Sequence, residues 1–177
     1  NFPRLKIEII LKILESMNIE NKDALQISSI SDGNIHLALE LSSRSKFYET
    51  FSELEDLIKI ITKVDEGSWR KFIDSFSMMA HRRPEDFKFK IYILQLWFHL
   101  AYSNRLGISD YSKFEFLLEP LVAFNSDFPN ADLAGINQIL EDIIQSLIRN
   151  YYTPLTLTNF LISMQRLLKG KELISIP

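Results

Sequence analysis

Apolar residues recur along this chain at helical spacing almost from end to end. Leu5, Ile9, Ile13 and Met17 return every fourth residue after Pro3, which predicts a first helix there. Residues 18–21 interrupt the pattern. Ala24, Ile27 and Ile30 then mark a second short helix over Asp23–Ile30, and Ile35 to Leu41 a third. Three short helices within about forty residues form a small bundle, and its remaining apolar faces need a neighbouring domain.

Ser42-Ser43-Arg44-Ser45 reads as a junction. Beyond it, Phe47, Phe51, Leu54, Leu57, Ile58 and Ile61 define a longer helix, and Gly67-Ser68 suits the cap of the next. That next helix should turn Trp69, Phe72, Ile73, Phe76 and Met79 inward. Pro84-Glu85-Asp86 makes a good first turn, with acidic groups at the positive end of the helix dipole. The segment after it carries Phe87, Ile91, Leu94, Trp97, Phe98 and Ala101, and is apolar on nearly every side, so its middle should cross the centre of a bundle. Gly107 and Asp110 end the following connection. Further helices are expected at 114–124, 136–148 and 155–168, with Thr153 as N-cap and Pro154 in the first turn of the last. Alternating patterns are too sparse for a sheet. The expected fold is all-α: a small three-helix domain over 1–42, then a bundle of about six helices over 46–170.

Composition narrows the classes of function. Among 177 residues, 46% are hydrophobic and only 5 are Gly and 6 Pro, which supplies a real core and argues against a turn-rich β chain. There is no cysteine, so disulfides and thiolate metal sites are excluded and a cytoplasmic setting is expected. A net charge of −3 gives no global pull toward nucleic acid or an anionic membrane. No run approaches the roughly 20 apolar residues of a membrane span, and no secretory leader is expected. The opening Asn1-Phe2-Pro3, without Met, is read as the start of an excised fragment, or of a chain whose preceding part is missing.

Candidate chemistry is thin. The five glycines, at 33, 67, 107, 135 and 170, form no phosphate-binding loop, so no ATP hydrolysis, no cofactor and no enzymatic activity are expected. His36, His81 and His99 share no metal-ligand spacing, and His99, beside Phe98 and Leu100, reads as a packed or hydrogen-bonded histidine. The acidic neighbours Glu55/Asp56, Asp65/Glu66 and Glu141/Asp142 diverge by about 100° on a helix and read as solvated surface. One basic concentration, Arg70, Lys71, His81, Arg82, Arg83, Lys88 and Lys90, is interleaved with Trp69 and Phe87. A nucleic-acid surface is one reading of it. Trp69 and Phe87 lie on apolar helix faces, however, and Glu85 and Asp86 weaken the field, which favours a solvated bundle surface or a protein contact.

Two segments carry a resemblance. The first is Ser31-Asp32-Gly33-Asn34-Ile35-His36-Leu37-Ala38-Leu39-Glu40-Leu41. Gly33 can take a positive φ between two helices, Ser31 and Asp32 can satisfy free N–H groups, Ala38 allows a close crossing, and Ile35, Leu39 and Leu41 supply apolar surface. This resembles the start of the last helix in the lid of AAA+ ATPases of the clamp-loader group. In ATP-using members an arginine three residues after that glycine reaches the γ-phosphate. Here His36 stands there, so Gly33, His36, Ala38 and Leu39 are read as a degenerate lid motif.

The second segment runs from Ile139 through Arg149-Asn150-Tyr151-Tyr152 to Leu161. A helix ending in Arg-Asn, a short turn and a last helix are similar to the end of bacterial DNA polymerase III clamp-loader subunits. With the order lid, junction and collar, the chain resembles the delta prime family most. Tyr151-Tyr152 are bulkier than that family's usual residues, and 69–90 matches no part of it.

The resemblance implies a collar that joins gamma/tau and delta subunits in a pentameric clamp loader. It also implies contact with sliding clamp and DNA only through that complex, no membrane, and no ATP hydrolysis. Arg149, Tyr151 and Tyr152 are then candidate partner contacts, the other reading being that both tyrosines pack within their own bundle. The alternatives are the same region of an ATP-using gamma/tau subunit, against which His36 speaks, and an unrelated all-helical adaptor.

Overall fold

The computed structural model describes residues 5–31, 33–43, 47–108, 115–149 and 151–171. Among them the fold is all-α, with nine helices and no strand. They are α1 (Ile7–Ser16), α2 (Asn21–Ile30), α3 (Ile35–Ser43), α4 (Phe47–Thr62), α5 (Glu66–Arg82), α6 (Pro84–Arg105), α7 (Glu115–Asp127), α8 (Leu133–Ile148) and α9 (Thr153–Leu168). The chain divides into two compact units, and the division falls inside α4 and α7. One unit comprises Asn1–Ser52 with Asp110–Glu119, the other Glu53–Ser109 with Pro120–Pro177. Of the segment read as a junction, Arg44 and Ser45 lie outside the described residues, as does Asp110.

In the first unit α1, α2 and α3 pack pairwise on one another. Ala24, Ile27 and Ile30 of α2 are buried as their spacing predicts. In α1 the buried pair is Ile10 and Leu14, whereas Ile9 and Met17 are exposed. A strict four-residue repeat drifts about 40° per step from a 3.6-residue turn, so a stripe from Leu5 to Met17 cannot stay on one face.

The second unit is built around α6. Phe87, Ile91, Leu94, Phe98 and Ala101 are wholly buried, with Ile93 and Trp97 nearly so, and the burial runs around the helix as its all-round apolarity predicts. The helix packs against α5 and α8, α8 packs against α9, and α9 returns to α5, closing a four-helix circuit. Aromatic rings fill both ends of α6. Phe87 meets Phe76 edge-on at 5.9 Å, and Phe76 lies against Phe72 at 4.3 Å with the rings tilted by 31°. At the other end Trp97 and Phe98 each meet Phe124 of α7 edge-on, at 4.8 and 5.7 Å.

Helix starts depart from the sequence reading where a nearby side chain caps better. Asp65, not Gly67-Ser68, caps α5: its carboxylate accepts from the Ser68 N–H at 2.7 Å. Asp132 does the same for Gly135 at 2.9 Å, so α8 begins three residues before Ile136. Trp69 and Ile73 are half-buried rather than core, and the Trp69 indole N–H donates to the Lys63 carbonyl at 2.9 Å.

A polar knot joins the C-terminal end of α6 to the α7–α8 connection. The Arg105 guanidinium donates to the carbonyls of Ala131 and Phe128 at 2.7 and 2.8 Å and to Asn125 Oδ1 at 3.1 Å. Asn125 in turn donates to the Ala101 carbonyl and to Asn104 Oδ1. Partial burial draws the Arg105 pKa below its ordinary value. The backbone N–H of Asp132 donates to the Leu167 carbonyl at 2.9 Å, so the end of α9 is fixed to the start of α8.

Candidate functional site

The turn between α2 and α3 holds the first motif. Gly33 is buried and takes φ 84, the positive value expected of it. Its carbonyl accepts the Leu5 N–H at 2.9 Å. Ser31 takes another role than expected. The Ser31 hydroxyl donates back to the Ile27 carbonyl at 2.6 Å, and Asn34 caps α3 by accepting the Leu37 N–H at 3.2 Å. Asp32 and the side chain of His36 lie outside the described residues. Ala38 is wholly buried, as a close helix crossing requires, while Leu39 is exposed.

The second motif forms a reversal on the surface of the other unit. As α8 ends, the Tyr151 N–H donates to the Ser146 carbonyl at 3.0 Å, and the Arg149 N–H to the Gln145 carbonyl at 3.2 Å. The carbonyl of Tyr152 accepts from Leu155 and Thr156 N–H at 3.1 and 3.2 Å, making Tyr152 the residue that precedes α9. Thr153, expected as N-cap, is instead the first helical residue: Tyr152 precedes the helix, no side chain caps it, and Pro154 stands within the first turn. Asn150 lies outside the described residues.

This reversal presents apolar surface to solvent. Tyr151 and Tyr152 are 56% and 73% exposed, and Arg149 is exposed beside them. Leu155 and Ile162 continue the surface along α9 at 57% and 50% exposure. The sequence points to Arg149, Tyr151 and Tyr152 but not to Leu155 and Ile162. The signal for these two is the absence of any Asp, Glu, Lys or Arg from residue 150 to 165, where the outer face of a bundle helix ordinarily carries charge.

The basic run is broken up by local pairing. Lys88 pairs with Glu85 at 2.8 Å, Arg83 with Asp86 at 3.4 Å, and Lys90 with Glu53. His81 and Arg82 occupy the last turn of α5, where positive charge suits the helix dipole. Phe87 is wholly buried and cannot stack on a base. His99, expected to be packed or hydrogen-bonded, is exposed: its position lies between the buried pair Trp97–Phe98 and Leu100, on the strip of α6 that faces water.

The acidic neighbours serve their own helices. Asp56 pairs with Lys59, Asp142 accepts from Gln138, and Glu141 accepts from Gln145. Among the described residues no group of three or more His, Cys, Asp or Glu is placed to hold a metal ion, and no helix is long and apolar enough to cross a membrane.

No protein-family model, curated protein or solved structure matches the chain.

Proposed function

We propose that this chain is an assembly module: the AAA+ lid and collar of a bacterial DNA polymerase III clamp-loader subunit of the delta prime type. It acts in the cytoplasm and does no chemistry of its own. Its work is to hold gamma/tau and delta subunits in one loader, which in turn places the sliding clamp on primed DNA. The observation that carries the reading is the exposed α8–α9 reversal. Two large aromatic side chains and an arginine stand in solvent at a helix break, the residue types that anchor protein interfaces. The order of elements supports it too, three short helices with a positive-φ glycine turn preceding a six-helix segment.

Gel filtration with light scattering tests this reading. The chain is mixed with the ATP-using clamp-loader subunit of the same organism. A discrete hetero-oligomer is expected, and two separate peaks at micromolar concentration would overturn the reading.

A further inference from the structure

The helix α7 is shared between the two compact units. Its residues up to Glu119 belong to the first unit, and from Pro120 onward it belongs to the second. The sequence puts a proline at that same step. Among the described residues, Pro120 alone stands inside a helix. Pro84 and Pro154 occupy first turns, where the missing N–H is unneeded, and Pro129 lies between α7 and α8. Pro120 has no N–H to offer the Phe116 carbonyl one turn back, and its ring crowds that carbonyl. The helix is therefore weakest where it passes from one unit to the other.

The helix α4 makes the same passage, at the step from Ser52 to Glu53. It contains neither Gly nor Pro, so nothing in its sequence interrupts its hydrogen-bond ladder. Two unbroken helices crossing one division would brace each other, because bending either requires the other to lengthen or shorten. A helix interrupted by proline gives no such brace. It absorbs the change by altering its kink, through a few φ and ψ angles.

We infer that Pro120 is a hinge. The two units turn relative to one another as α4 bends, and α7 yields at the Glu119–Pro120 step to permit it. Arg149, Tyr151 and Tyr152 all lie in the second unit, so the first unit reorients without disturbing the surface that they form. The inference concerns the chain by itself and does not rest on the clamp-loader reading.

The absence of native cysteine allows spin labels to be placed in pairs. Lys12→Cys with Gln138→Cys reports across the two units, and Lys71→Cys with Gln138→Cys reports within the second. All three positions are exposed. Double electron–electron resonance on frozen samples then reads the spread of distances in each pair. The cross-unit pair should give a broad distribution and the within-unit pair a narrow one. Pro120→Ala restores the missing N–H and a strong helix former. It should narrow the cross-unit distribution to the within-unit width, leave the within-unit pair unchanged, and keep or raise the helical circular dichroism. Equal widths for the two pairs in the parent chain, or a cross-unit distribution left equally broad by Pro120→Ala, would overturn the proposal.

Discussion

Gln165 of α9 donates its side-chain amide to the carbonyl of Ile61 over 2.7 Å, joining residues 104 positions apart. Ile61 lies in the last turn of α4, whose carbonyls have no partner within their own helix. One side chain therefore completes a helix end and fastens the last helix to the fourth. Gln165→Ala should cost about 1 kcal/mol. Urea unfolding checks it, with a lower midpoint and an unchanged slope.

Arg105 carries a larger share, because its guanidinium serves two backbone carbonyls and Asn125 together. Arg105→Ala removes a charged donor from two carbonyls that each keep one backbone partner, the Ala131 N–H on Phe128 and the Leu133 N–H on Ala131, and should cost about 1.5–3 kcal/mol. Arg105→Lys should recover only part of that, since an ammonium cannot span three acceptors set for a planar fork. Thermal melts of both variants check the order.

Asp65 makes stability depend on pH. Hydrogen bonds from the Ser68 hydroxyl, then from its backbone N–H, hold the carboxyl below its ordinary value, with Lys71 a lesser contributor. A carboxylate with a lowered folded pKa adds stability that is complete above its unfolded value, about 3.9. That stability is lost as pH falls through the folded value. Asp65→Ala should therefore lower the melting temperature by a few degrees at pH 7, and the difference from the parent chain should shrink toward zero below the unfolded value.

Gly170 and Gly107 share φ +66 but not their surroundings. A Cβ at Gly107 meets nothing within 4 Å, whereas one at Gly170 lies 2.6 Å from the Asn130 carbonyl oxygen. Gly107→Ala should cost about 1 kcal/mol, the strain of the left-handed conformation alone. Gly170→Ala should cost about 3 kcal/mol, because the α7–α8 connection must also move. Paired denaturation curves separate the two contributions.

Local signals make much of this fold legible from residue order alone. Pro84 at the start of α6 and apolar residues on all its sides identify the central helix, and Gly33 announces its turn. Helix ends are less legible, because several residues compete for each cap. Asp65 and Asn34 win by reaching an N–H three residues on, although residue type alone points to Gly67-Ser68, Ser31 and Asp32 as well. The bonds of Gln165 and Arg105 cannot be read from the sequence at all, since they depend on which helix end arrives opposite a long side chain. At the candidate site, the type of residue at Tyr151 and Tyr152 is readable. The continuation through Leu155 and Ile162 is not, because periodicity alone does not tell an outward apolar position from a core one.

Calorimetric titration of the ATP-using clamp-loader subunit into this chain, and into a Tyr151→Ala/Tyr152→Ala variant, tests the assembly reading most directly. The parent chain should bind, and the variant should bind at least about 30-fold more weakly, as expected when interface anchors are removed. An undetectable interaction with the parent chain, or equal affinity for both, would contradict the assembly reading.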